Sequence, residues 1–213
     1  MRKMWFALIG ALCIIAAPPG AARVAAAGIA PGDAQPLLDI GKDDRILGNP
    51  GAPITIVEYA SMTCPHCAHF ADEVLPEIKK KWIDTGKAKL VLRDFPLDES
   101  ALKASMIARC APPDRFYAFI DTLFSTQEQW VMASDYQAAL ARLAKLGGMG
   151  KDEFDACLAN KTLENKIVEG RLVASKQLDV NATPTFFVNG NKFNGTPTVE
   201  AFDKLLSGLS SKS

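Results

Sequence analysis

The 213-residue chain has no net charge, since 24 basic residues balance 24 acidic ones. It therefore offers no basic face to nucleic-acid phosphates, and no acidic tail stands out. It has one C-x-x-C motif and no second, and both of its histidines sit beside that motif. A structural zinc site needs about four ligands. Cys64, Cys67, His66 and His69 make such a set on paper, but a helix start puts the two cysteines on one turn and aims His69 elsewhere, so no metal is expected. There is no internal repeat. The only long apolar run, Met4 to Ala17, is short of the ~20 residues that span a bilayer.

That run has the features of an export signal. Arg2 and Lys3 precede it, Pro18-Pro19-Gly20 breaks it, and Ala25-Ala26-Ala27 offers an A-x-A cleavage site. Residues 1–27 read as a cleavable signal peptide, with an uncleaved anchor as the alternative. Cys13 lies inside the run. Leu12 before it is not the small residue that lipoprotein processing wants, so Cys13 reads as an apolar residue of the signal. Loss of Arg2, Lys3 and Arg23 would take the 24 basic residues to 21 against 24 acidic ones. Cys64, Cys67, Cys110 and Cys157 would remain, an even number that in an exported chain points to disulfides rather than metal. A composition 48% hydrophobic and 23% charged is ordinary for a globular protein.

Residues 28–42, rich in Gly, Pro and Ala at their start, read as a flexible leader. After the turn cluster Gly48 to Pro53, the apolar run 54–59 suits a central strand covered on both faces. A helix follows from Cys64 to about Asp84, with Phe70, Val74, Ile78 and Trp82 on one stripe and a kink expected at Pro76. Residues 89–94 read as a second strand, parallel to the first through a βαβ crossover. From 98 to 178 the pattern is helical throughout: 101–110, 116–124, a third helix through Tyr136 and Leu143, 151–158, and a fifth from Leu163 to Leu178. Trp130 and Met132 follow a polar stretch and stand between core and exposed groove, core being the safer reading. Strand character returns at 185–188, Asn189-Gly190 marks a hairpin, 192–193 pairs back, and Thr196-Pro197 opens a last helix. The fold class is α/β: a thioredoxin-like domain over 43–97 and 179–213, interrupted by an all-helical domain at 98–178.

The chemistry centres on Cys64-Pro65-His66-Cys67. A cysteine at a helix N-terminus has its thiolate stabilised by the macrodipole and free N–H groups. The second cysteine, one turn on, can close a disulfide with it. This reads as a redox dithiol, with an inert structural disulfide as the alternative. The His66 imidazole, beside the sulfur, is expected to lower the cysteine pKa further, and a more stable thiolate makes the disulfide more oxidising. Thr183-Pro184, directly before a strand, is a candidate cis peptide whose backbone could pair with a substrate peptide. Glu58 shares a strand face with Ile54 and Ile56. It is either a buried carboxyl able to pass a proton to Cys67 or a hydrated strand-end acid. Cys110 and Cys157 read as a structural disulfide, with two buried thiols as the alternative.

Together these residues resemble the DsbA-like thiol:disulfide oxidoreductases. The Cys64-Pro65-His66-Cys67 motif, the Glu58 position, Thr183-Pro184 and the helical insertion all match, over about residues 43–210. The resemblance implies a periplasmic enzyme with a very low cysteine pKa that needs no cofactor. It would donate its disulfide to newly exported chains with reduced cysteines and be reoxidised by a quinone-linked, DsbB-like membrane protein. Two departures stand out. Thr183 occupies a position where the best-known members carry Val, and the Cys110 and Cys157 pair is found only in some branches. A disulfide isomerase or reductase is one alternative, although residues 28–47 are too short for the dimerisation domain such isomerases add, and a monomer is expected. A binding module stapled by its C-x-x-C is the other.

Overall fold

A computed structural model describes residues 35–211. The expected signal peptide and Cys13 lie outside them. The described end of the leader contains a helical turn, α1 (Gln35–Leu38), and Leu38 is buried against the sheet. Strand β1 (Ile46–Gly48) follows, then the central strand β2 (Ile54–Ala60). Three residues are too few to show an alternating pattern, which is why β1 has no sequence signature.

The helix carrying the C-x-x-C motif runs in four segments: α2 (Pro65–His69), a π-helical turn (Phe70–Val74), α3 (Leu75–Ile78) and a second π-helical turn (Lys79–Ile83). Pro76 has no N–H and would crowd the preceding turn of a regular α-helix. Here the chain widens before it, and the Leu75 N–H reaches back to the Phe70 carbonyl. Phe70 is held in a ring cluster, 4.5 Å from Phe186 and 5.6 Å from Phe202 between centroids. The run leads into β3 (Ala88–Asp94), which pairs parallel with β2 over its whole length.

The insertion comprises α4 (Glu99–Cys110), a short 3-10 turn (Pro113–Arg115), α5 (Phe116–Ser125), α6 (Gln127–Val131), α7 (Tyr136–Leu146), α8 (Lys151–Ala159) and α9 (Lys161–Gln177). Side-chain oxygens of Asp98, Asp135 and Asn160 accept the N–H groups of Ala101, Ala138 and Leu163 and so set three of these starts. Cys110 and Cys157 are disulfide-bonded, joining α4 to α8. Trp130 is 1% exposed, its indole N–H donating to the Leu123 carbonyl, whereas Met132 is 79% exposed. The core reading thus holds for the tryptophan and not for the methionine.

The chain then returns as β4 (Thr185–Val188), turns through Asn189 and Gly190 at φ 45° and 80°, and forms β5 (Asn191–Lys192). Both turn residues are left-handed, as a two-residue hairpin matching the strand twist requires. The last helix, α10 (Val199–Ser210), begins two residues after Pro197, because the Thr198 hydroxyl caps it by accepting from the Ala201 N–H. The sheet order is β1-β3-β2-β4-β5, with only β2 and β3 parallel.

Two contacts stitch the insertion to the sheet. The Tyr117 hydroxyl accepts from the Leu92 N–H and lies within hydrogen-bonding distance of the Arg45 and Leu90 carbonyls. The Arg109 guanidinium donates to Asp94 and to the Leu92 carbonyl. The Cys110–Cys157 bond closes a long loop within the insertion, so replacing both cysteines by alanine should lower stability by about 2–4 kcal/mol without changing the fold. Urea unfolding of the non-reduced proteins measures this; a loss well under ~1 kcal/mol would mean that α4 and α8 hold together without the bond.

Candidate active site

Cys64 is the N-cap of α2, at φ −81° and ψ 118°, and Pro65 occupies the first helical position, where a missing N–H costs nothing. The main-chain N–H groups of His66 and Cys67 also lie at the Cys64 sulfur, the latter shared with the Cys64 carbonyl. Cys64 and Cys67 are both free thiols in this structure and both are buried.

Their acidities are driven apart. The Cys67 thiol hydrogen-bonds the Cys64 sulfur, and with the Thr183 side chain and the two N–H groups it holds Cys64 down to about 5 against the opposing effect of burial. Cys67 moves the other way, because burial, its bond to Cys64 and the nearby Glu58 charge all keep its proton on. When protonated, Cys64 donates to the Thr183 carbonyl at 3.2 Å. The Thr183 hydroxyl is buried with no hydrogen-bond partner among the described residues and so is available to the ionised sulfur. The Thr183–Pro184 peptide is cis.

His66 contributes differently from the expectation. Its main-chain N–H serves the sulfur, while its imidazole is exposed and lines a cleft instead. That cleft, about 400 Å³, is walled by Phe70, Val74, Pro184, Pro197 and Val199 and is bordered by Thr183, whose carbonyl accepts from Cys64.

Glu58 is the buried carboxyl of the two alternatives, at 2% exposure in β2 between Leu92 and Phe186. Burial, and then the Cys64 charge, push it up to about 8, and its Oε1 has no hydrogen-bond partner among the described residues. It therefore holds or releases a proton near neutral pH, close enough to Cys67 for its charge to raise that thiol.

One polar side chain at the site has no sequence signature. Gln127, inside the polar stretch before Trp130, is buried under the Cys64 loop, with its amide donating to the Met62 and Cys64 carbonyls. A single buried glutamine leaves no periodic trace, and only the buried Trp130 three residues on hinted that this segment turns inward.

The family described as Thioredoxin matches residues 41–207. The solved structure of Wolbachia pipientis alpha-DsbA1 superposes with a TM-score of 0.79 at 35% identity, covering 84% of this chain and 96% of that one. The chain belongs to the DsbA-like proteins of the thioredoxin superfamily. A Rickettsia bellii relative provisionally named protein-disulfide oxidoreductase is 36% identical over 152 residues, 71% of this chain and 59% of that protein. A Bacillus cereus relative provisionally named disulfide bond formation protein D is 30% identical over 157 residues, 70% of this chain and 71% of that one. This DsbA-like chain thus matches somewhat over half the length of its rickettsial relative.

The site makes two pH predictions for the reduced protein. The thiolate absorbance of Cys64 near 240 nm should titrate at about 5, with Cys67 silent to well above neutral pH. For stability, folding raises Glu58 from 4.5 to about 8, so its contribution is present at low pH and is lost as pH rises toward 8. Folding lowers Cys64 from 9.0 to about 5, so its contribution is full above 9 and is lost as pH falls toward 5. The two slopes oppose each other. Glu58→Gln should leave stability rising with pH between 5 and 8, and Cys64→Ser should leave it falling, with wild type flatter than both. Urea midpoints across that range test this, and a flat Glu58→Gln profile would contradict the assignment.

Proposed function

We propose that this protein is an exported protein-disulfide oxidase that passes the Cys64–Cys67 disulfide to newly translocated chains bearing reduced cysteines. The observation that carries this reading is the division of labour between the two sulfurs. One is stabilised as a thiolate beside a cis-proline and an apolar cleft, and the other is buried and held protonated. A stabilised thiolate favours the reduced enzyme and so makes the disulfide a strong oxidant.

In the cycle, a substrate thiolate attacks the Cys64 sulfur of the oxidised enzyme. A substrate–Cys64 bond forms, the Cys64–Cys67 bond breaks, and Cys67 leaves with the electron pair. The leaving sulfur must take up a proton, and the Glu58 carboxyl, protonated below about 8, is the nearby acid that can supply it. Thr183 and Pro184 hold the substrate backbone edge to edge in the mixed disulfide. A second substrate thiolate then attacks the substrate sulfur, forming the substrate disulfide and releasing the Cys64 thiolate. Two electrons pass to the enzyme, and a quinone-linked membrane protein of the DsbB kind would remove them.

Export is supported by the charged and apolar pattern of residues 1–27 and by the Cys110–Cys157 bond, which persists in an oxidising compartment. We take the working form to be a monomer. The oxidised protein should oxidise a reduced two-cysteine peptide stoichiometrically and show a potential well above the about −270 mV of thioredoxin, while Cys64→Ser abolishes transfer. A potential near thioredoxin's would instead make it a reductant, and absence of exchange with glutathione would leave a structural staple.

A further inference from the structure

Between the end of β2 and the start of α2, residues 61–64 carry the chain into the active site. Two contacts from the insertion hold this loop. Asp98, before α4, accepts from the Thr63 hydroxyl at 2.6 Å. Gln127, the first residue of α6, is 8% exposed and donates through Nε2 to the Met62 carbonyl at 2.8 Å and the Cys64 carbonyl at 3.0 Å. The Cys64 carbonyl is also the first acceptor of α2, taking the Cys67 and Ala68 N–H groups at 3.1 and 3.2 Å. Burying an amide is unfavourable unless its hydrogen bonds are made, and here both of its protons go to the carbonyls that flank Thr63 and end at the reactive residue.

We propose that Gln127 is a positioning residue for disulfide exchange: from the helical insertion it holds the Met62 and Cys64 carbonyls, and through them sets the Cys64 sulfur at the start of α2. The inference rests on the redox reading of Cys64 and Cys67. A carbonyl oxygen is the negative end of its dipole, and one that turns toward the sulfur opposes a thiolate. The Gln127 amide offsets that charge at two carbonyls, at Cys64 together with the α2 N–H groups that the same oxygen accepts. Only the reduced enzyme carries the thiolate, so this stabilisation belongs to the reduced form and makes the disulfide a stronger oxidant. Gln127 touches no reacting atom; it acts through the loop.

The test uses the full chain with Gln127→Met, which keeps the side-chain length and loses both donors, and Gln127→Ala, which loses the donors and also leaves a void. Each protein is equilibrated in glutathione buffers and its thermal midpoint is measured. Both variants should need a roughly three- to ten-fold higher ratio of squared reduced to oxidised glutathione for half-reduction, the scale of one or two hydrogen bonds near a charge. Their Cys64 thiolate titrations should move up together, and the shift should be alike in both although the alanine variant melts lower. An unchanged glutathione ratio in both, or a shift that grows only with the loss of thermal midpoint, would overturn the inference and leave Gln127 a structural tether. A wild-type protein that fails to equilibrate with glutathione would remove the redox reading itself, and this inference with it, before any variant is made.

Discussion

A buried thiolate is unfavourable unless fixed donors replace the water it has lost, and the architecture around Cys64 meets that constraint. The donors are short-range: two main-chain N–H groups at a helix start, a thiol one turn away and a hydroxyl across the cleft. The first three need the helix to begin at Cys64, and the hydroxyl needs the Thr183–Pro184 segment before β4 to lie alongside. The parallel β2–β3 pair, the antiparallel β4 and the ring cluster under Phe70 bring those two places together.

Those same neighbours explain why Glu58 is tolerated in the middle of a sheet. A carboxylate there would be isolated among Leu92 and Phe186 and would repel the Cys64 charge, so the group keeps its proton to about 8. Burial thus makes Glu58 an acid near neutral pH, while the donors around Cys64 make a nucleophile of that sulfur, so the two groups' ordinary order of acidity is reversed.

Much of this was legible in the sequence because it is local. The apolar run of β2, the Asn189-Gly190 turn, the stripe from Phe70 to Trp82 and the Cys64-Pro65-His66-Cys67 helix start each carry their signal in adjacent residues. The cis bond before Pro184 was legible by place, as a proline ahead of a strand. Features that depend on distant partners were not. β1 is three residues that exist as a strand because β3 offers an edge, and α1 is a turn because Leu38 has a sheet face to cover. The widened turns either side of α3 answer to packing as well as to Pro76. The His66 imidazole was legible as a neighbour of the sulfurs, but its direction was not, and Gln127 gained its role from a loop 63 residues away.

Tyr117 gives the insertion a different standing from that of a cover laid over a site. Beyond Gly48–Lys89, Leu47–Leu90 and Ile46–Val91, the pairing of β1 with β3 stops, and the next β3 amide, that of Leu92, is met by the Tyr117 hydroxyl. A side chain from the helical insertion thus continues a ladder that the backbone leaves unfinished. The insertion and the sheet share a hydrogen-bonded seam, and any opening of the insertion would expose the amide of Leu92, Glu58's neighbour in the sheet. Exchange of the Leu92 amide with solvent is therefore a local gauge of whether the insertion and the sheet move as one body.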